Sequence, residues 1–250
     1  MLVAAAFVLG MSKGGLPGAA VVAIPWVADM LGAKQSTGFI LPMLIAGVLF
    51  ALSWFRRAVS ARDVLRALPW AVVGVLVGWW ILRLMPDDAA ADNSTKIMKY
   101  TVAGIVLFIL SLQVARKLRP LAREDGGAQS FAKRVFSVFM GFLGGVTTML
   151  ANAAGPVMSA YFLSMRLPKA TFLGTCAWFF FVVNWLKFPI MLNEGMITRQ
   201  SLATNLLLVP VLLIGAFAGI LVVKHISQKS FEWLVIALAA TGCFKLLGMI

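Results

Sequence analysis

The sequence predicts an all-α polytopic membrane protein built from two inverted repeats, each with a broken or re-entrant helix pair plus three transmembrane helices. Three observations support this. Of the 250 residues, 61% are hydrophobic and only 12% are charged, whereas about a quarter of the residues of soluble domains are charged. Several apolar runs have the length of about 20 residues that a helix needs to cross a bilayer. Two further apolar regions are interrupted by glycine, proline or polar residues, at related positions in the two halves.

The composition excludes several classes of protein. It is too apolar for a water-soluble enzyme or a nucleic-acid-binding protein, although Lys+Arg (22) outnumber Asp+Glu (9). Cys176 and Cys243 both lie in apolar runs and His225 is the single histidine, so we expect neither a disulfide framework nor a metal or other cofactor. The sequence contains no pair of acids, nucleophile motif or phosphate-binding loop that would indicate an enzyme or a pump.

Full-length spans are predicted in six runs, and the remaining apolar regions are split. The six runs cover 36–55, 64–85, 97–115, 170–191, 201–223 and 231–249. Residues 1–32 and 135–165 each hold two apolar pieces that are short for a crossing, separated near 11–18 and near Thr147 to Asn152. The first ten residues have no basic stretch before them, so we interpret them as part of the mature fold rather than as a signal peptide.

Basic loops predict the orientation of these spans. Lysine and arginine accumulate in cytoplasmic loops, which assigns 56–66, 116–134, 166–169 and 224–229 to the inside. The segments 86–95, which has three aspartates and no base, and 192–200 then face outside, as do both termini. The prediction is a multi-pass protein of a bacterial-type inner (plasma) membrane.

Glycine and proline positions indicate an internal repeat. Gly10, Gly14 and Pro25 match Gly141, Gly145 and Pro156, 131 positions later, and a second set matches at 141 positions: Pro69, Gly74 and Gly78 with Pro210, Gly215 and Gly219. We divide the chain into a first repeat (1–117), a cytoplasmic linker (118–131) and a second repeat (132–250). Each half has three spans plus a broken pair, which adds two crossings if it crosses twice and none if it is re-entrant. The number of crossings in each half is odd in both cases, so the two halves have opposite orientations in the membrane. Such inverted repeats are found in many secondary transporters.

Lys13 is the first candidate binding residue, because it lies at the first break between Ser12 and Gly14. A cation deep in a bilayer costs at least about 2.5–3.5 kcal/mol, which a bound anion would offset. In the alternative interpretation, Lys13 extends to a nearby membrane surface and Gly10, Gly14 and Gly18 form a helix-packing face.

The second half offers hydrogen-bond donors. Thr147, Thr148 and Asn152 could bind oxyanions or could satisfy carbonyl groups of a broken helix. Asn184 and Lys187 lie three residues apart, on one face of their predicted helix. Asn184 could bind the anion or bridge helices, and Lys187 could bind it or extend outward to the membrane surface. Tryptophan and phenylalanine residues are assigned to lipid-facing and interfacial positions rather than to the site.

These residues carry a family resemblance. The stretch LGMSKGGLPGAAVVAIP (9–25) resembles the N-terminal glycine-rich signature of the sulfite exporter TauE/SafE family. The run TTMLANAAGP (147–156), followed by GT-A-WFF and N-x-x-K, resembles its second signature, and the similarity covers essentially the whole chain. The resemblance implies a permease for small anions, with sulfur oxyanions and organosulfonates as the usual cargo. It identifies as substrate-binding the following positions: Lys13, Gly14, Gly15, Thr147, Thr148, Asn152, Pro156, Asn184 and Lys187.

The predicted function is therefore a secondary transporter of small anions, an exporter working by alternating access, with sulfite or sulfoacetate as typical cargo. An anion channel and a transporter of small carboxylates are the alternatives. The expected partners are a small anionic substrate and the lipid bilayer, without nucleic acid, and the oligomeric state stays open between a monomer and a homo-oligomer.

Overall fold

The computed structural model describes residues 1–84, 100, 104, 107, 111 and 127–246, and these residues form helices connected by short turns, without a strand. The predicted span 97–115, the acidic segment 86–95, most of the linker and the last four residues lie outside the described residues or are described only at single positions. The helices are α1 (Leu2–Gly14), α2 (Ala20–Leu31), α3 (Ala33–Phe55), α4 (Ala61–Leu84), α5 (Gly127–Ala151), α6 (Ala154–Ser164), α7 (Lys169–Asn193), α8 (Arg199–His225) and α9 (Gln228–Leu246).

Five of these helices are long and apolar enough to cross a membrane: α3, α4, α5, α7 and α8. Four of them coincide with predicted runs, and α5 does not. The expectation that 135–165 holds two pieces too short to cross is wrong for the first piece, because α5 begins at Gly127. Its apolar part runs for 18 residues from Arg134 to Ala151, so the helix starts within a polar stretch that hydropathy alone excludes.

The two breaks lie where the sequence predicts interruptions, and each has a local cause. Helix α1 ends at Gly14, and the chain then passes through Pro17, which lacks a backbone N–H, and Gly18, whose φ of 112° suits glycine alone. Helix α5 ends at Ala151 and is followed by Asn152 with φ 52°, a left-handed conformation that asparagine tolerates well. Pro156 lies in the first turn of α6, where no intrahelical N–H donor is needed.

The chain ends of the described helices fall on two opposite faces. On the first, which we call the Gly32 face, α2 passes into α3, and the Asn205 amide near the start of α8 donates to the Phe39 carbonyl at 2.8 Å. On the second, the Lys169 face, the ammonium of Lys169 at the start of α7 donates to the Val223 carbonyl near the end of α8 at 3.0 Å. Three of the segments predicted to be cytoplasmic, 56–66, 166–169 and 224–229, therefore meet on one face, since the Ser60 amide also donates to Thr175 of α7.

The first broken pair is a hairpin that opens on the Gly32 face. Helix α1 runs parallel to α8, since Gly215 packs on the Phe7 carbonyl and Gly15 packs on Val223. Because α8 starts at the Gly32 face, so does α1. Helix α2 returns to that face, where Gly32 alone separates it from α3.

The second broken pair is a hairpin that opens on the Lys169 face. Helix α5 runs parallel to α4, with Gly141 on the Ala67 carbonyl and Gly78 on Met149. Helix α6 returns to the Lys169 face, where its Tyr161 hydroxyl lies 3.4 Å from the Asp63 carbonyl of α4.

Close glycine contacts join each hairpin to a helix of the other predicted half. A Cβ atom on Gly14 would collide with the Ala216 carbonyl, and one on Gly145 would collide with the Ala71 carbonyl. The contacts are reciprocal, because Gly219 packs on Met11 and Gly74 packs on Phe142. By these contacts, residue 74 of α4 is equivalent to residue 219 of α8, and residue 71 to residue 216, an offset of 145 residues. The glycine and proline match in the sequence has an offset of 141, which differs by about one helical turn. The division into inverted repeats stays a prediction. The matching contacts of α1 with α8 and of α5 with α4 favour it.

Candidate functional site

The tips of the two hairpins meet. A Cβ atom placed on Gly155, at the start of α6, would lie 3.6 Å from the Gly18 amide nitrogen in the first break. This is an ordinary van der Waals distance, so the two backbones lie side by side. The breaks at 15–19 and 152–153 are therefore neighbours in space, although they are far apart in the sequence.

A cavity lies beside these tips, enclosed also by α3 and α7. Its apolar part is formed by Pro17, Ala20, Leu44, Val48, Ala51, Gly155, Leu173, Ala177 and Phe180. Its polar part is formed by Ser12, Lys13, Thr148, Asn152, Cys176 and Asn184. Within the described residues no acidic side chain lines the cavity, so the polar part is cationic and rich in hydrogen-bond donors.

Lys13 carries the charge of the cavity. It lies in the last turn of α1, and its ammonium is 4.3 Å from the centre of the Phe180 ring, a cation–π contact. In the described part of the chain, no hydrogen bond or ion pair satisfies this ammonium. The aliphatic stem packs on Gly47 of α3, which directs the side chain into the cavity. The alternative in which Lys13 extends to a membrane surface is therefore not what the structure shows.

Asn184 is a second unsatisfied group in the cavity. Only 1% of the residue is exposed, and neither its amide nitrogen nor its carbonyl oxygen has a hydrogen-bond partner. Burying an amide without partners costs about 1–3 kcal/mol. A structure that places such an amide next to an unpaired ammonium has the chemistry of a binding site that a ligand completes.

Lys187 is buried, contrary to the alternative in which it extends outward. It is 0% exposed. Its ammonium donates to the Thr148 carbonyl at 2.6 Å, to the Asn152 side-chain oxygen at 2.6 Å and to the Thr148 hydroxyl at 3.3 Å. A cation at the carboxyl end of a helix opposes the negative end of the helix dipole, so Lys187 stabilises the end of α5.

A hydrogen-bond network ties the second break to α3. The Asn152 amide nitrogen donates to the Thr37 carbonyl at 2.8 Å. In return the Thr37 hydroxyl donates to the Leu150 carbonyl at 2.9 Å. Three helices thus hold Asn152 in place: α3, α5 and, through Lys187, α7.

The remaining predicted site residues lie near the cavity but outside its lining. The Thr147 hydroxyl donates to the Leu143 carbonyl of its own helix at 2.7 Å. Gly14 and Gly15 pack against α8, as in the helix-packing alternative. Pro156 is buried in the first turn of α6. The structure therefore brings Lys13, Thr148, Asn152 and Asn184 together around one space.

Several lining residues were not predicted. Phe180 was assigned with the other aromatic residues to lipid, but its ring faces Lys13. The helix period contains the signal that would have found it, since Cys176 and Phe180 lie eight and four residues before Asn184 on the same face of α7. Ser12, buried beside Lys13, has no such periodic signal.

The whole described chain is accounted for by one protein family. Residues 2–246 match the family model described as "Sulfite exporter TauE/SafE". No curated protein and no solved structure matches the chain significantly. Its apolar helices, and a cavity lined by a lysine without an anionic partner among the described residues, agree with this match. The chain therefore belongs to the sulfite exporter TauE/SafE family of multi-pass membrane transporters for sulfur anions such as sulfite.

Proposed function

We propose that this protein is a secondary transporter that exports small anions across a bacterial-type plasma membrane by alternating access. Sulfur oxyanions and organosulfonates, such as sulfite or sulfoacetate, are its cargo class. The observation that carries the proposal is the Lys13 ammonium, which faces the cavity with an aromatic ring but without an anionic partner among the described residues.

An anion in the cavity would satisfy the groups that are now without partners. Lys13 would supply the charge, and the Asn184 amide, which is buried and unpaired, would donate a hydrogen bond. Thr148 and Asn152 line the same space and would complete the contacts to the oxyanion. Gly14, Gly15, Thr147, Pro156 and Lys187 would shape the site through the backbone positions they fix.

The two hairpins suit an alternating mechanism. They enter from opposite faces and touch at Gly18 and Gly155, so rocking of the hairpins against α3 and α7 would open the cavity to one face at a time. An interior-negative potential favours expulsion of an anion by about 2.3 kcal/mol per charge per 100 mV. Export therefore needs no coupling cation.

The test is flux of sulfite and of organosulfonates into or out of proteoliposomes. We expect Lys13→Met to lower the kcat/KM of sulfite flux at least about tenfold. The substitution removes charge-assisted hydrogen bonds to the anion, each of which contributes about 1.5–3 kcal/mol. Lys229→Met is the matched control, since Lys229 is exposed and does not line the cavity. Equal flux in the two variants would remove Lys13 from the mechanism.

The same vesicles distinguish the alternatives. A transporter shows saturable flux and exchange of labelled for unlabelled anion across the membrane. An anion channel would show ohmic current without such exchange. A carboxylate transporter would be inhibited by small carboxylates and not by sulfonates.

A further inference from the structure

Lys187 is a predicted cationic ligand whose surroundings argue against contact with the substrate. An ammonium has three N–H donors, and Lys187 uses them on the Thr148 carbonyl, the Thr148 hydroxyl and the Asn152 side-chain oxygen. The residue is 0% exposed and does not line the cavity. No donor is left for an anion, so the role of this cation must be sought in the groups it bonds.

The Asn152 amide is held between two partners that each allow one orientation. An ammonium can only donate and a backbone carbonyl can only accept. Lys187 therefore requires the amide oxygen on its side at 2.6 Å, and the Thr37 carbonyl requires the amide nitrogen on the other side at 2.8 Å. The second hydrogen of the NH₂ group has no acceptor among the described residues. Because Asn152 lines the cavity, this hydrogen is available to a ligand there.

Resting on the function proposed above, we infer that Lys187 is a positioning residue that fixes the Asn152 amide with its N–H donor toward the cavity. An asparagine side chain presents either a carbonyl oxygen, which suits cations, or an NH₂ group, which suits anions. The buried ammonium behind it selects the NH₂ group, so this tip of the second hairpin accepts anions. Lys187 thus acts on the cargo through Asn152, whereas Lys13 acts on it directly.

A double-mutant cycle in proteoliposomes tests this inference. The single variant Asn152→Gly removes the amide, and glycine readily adopts the φ of 52° found there. We expect it to raise the KM for sulfite about tenfold, the effect of losing one hydrogen bond to a charged ligand. We expect Lys187→Met to raise KM by up to a similar factor in the native background, because the Thr37 carbonyl is then the only partner that fixes the orientation of the amide.

The decisive measurement compares Asn152→Gly with the double variant Asn152→Gly/Lys187→Met. If Lys187 acts only through Asn152, the two have the same KM within about twofold. A further tenfold rise in the double variant would overturn the inference, because Lys187 would then act on transport by a route other than Asn152, directly or through Thr148. A native KM in Asn152→Gly would overturn it as well. This comparison does not require the single Lys187→Met protein to fold.

Failure of the proposed function gives a different result. Wild-type protein that moves neither sulfite nor organosulfonates would overturn the proposed function, and this inference with it. Wild-type flux with additive effects in the cycle would leave the transport function intact and overturn the inference alone. Thermal unfolding of each variant in detergent separates loss of affinity from loss of folded protein.

Discussion

Single residues at the two breaks decide which groups of the cavity stay without partners. Lys13 and Asn184 remain unsatisfied, whereas Lys187 is fully hydrogen-bonded. Sequence alone could identify all three as polar residues in apolar runs. It could not tell which of the two lysines pairs within the protein, because that depends on where the end of α5 lies relative to α7.

The backbone of Gly18 provides a test at the residue scale. Its φ is 112°, and Gly32, between α2 and α3, has a φ of 80°. Alanine at either position costs about 1–3 kcal/mol, because a residue with a Cβ rarely adopts backbone with such a positive φ. We therefore expect Gly18→Ala and Gly32→Ala to lower the melting temperature to a similar extent.

Transport should separate these two variants. Gly18 touches the tip of the second hairpin, whereas no atom lies within 4 Å of a Cβ on Gly32. Sulfite flux per folded protein should fall several-fold in Gly18→Ala and stay native in Gly32→Ala. Equal flux in both would show that the tip contact has no part in transport.

At the scale of helices, the sequence predicted the breaks but not the course of the hairpins. Glycine, proline and polar residues near 11–18 and 147–156 marked both interruptions. A pair that crosses twice and a pair that folds back differ by two crossings, so the spans that follow have the same orientation in both cases. The distribution of basic residues among the loops therefore cannot distinguish the two arrangements. The parallel packing of α1 on α8 and of α5 on α4 shows that each pair starts and ends on one face. Helices α1 and α2, with 13 and 12 residues, are shorter than the about 20 residues of a full span.

Glycine packing holds each hairpin against its long helix. A Cβ on Gly145 would collide with the Ala71 carbonyl, a backbone atom that cannot turn away. We expect Gly145→Ala to destabilise the protein by about 1–3 kcal/mol, the usual cost of overpacking. Gly104→Ala is the control, because no atom of the described residues lies within 4 Å of a Cβ there.

Thermal unfolding in detergent checks this expectation. Gly145→Ala should unfold several degrees below the wild type, and Gly104→Ala should unfold with it or slightly above it. A native melting temperature for Gly145→Ala would mean that α4 and α5 can separate without cost.

At the scale of the whole molecule, the two hairpins predict a specific pattern of surface accessibility. Cysteines introduced at Leu31 and Glu194 should react with a membrane-impermeant reagent from one side, and those at Ser164 and Ser227 from the other. If either broken pair formed a single interrupted crossing instead of a hairpin, its return end would be labelled from the opposite side. The basic loops further predict that the second pair of positions faces the cytoplasm.

Intact cells and inverted vesicles provide the two sides for this measurement. The native Cys176 is buried, and a variant in which both native cysteines are replaced by alanine serves as the background. Labelling of all four positions from a single side would contradict the described fold.

Synthesis of the chain imposes an order on the completion of this site. Gly155 is translated 137 residues after Gly18, which at about 5–20 residues per second takes roughly 7 to 27 s. Helix α8, against which α1 packs, follows later still. During that interval α1, which carries Lys13, has neither α8 nor the second hairpin to pack against. The first hairpin must therefore remain in the insertion machinery or at the lipid surface until the rest of the chain has been synthesised.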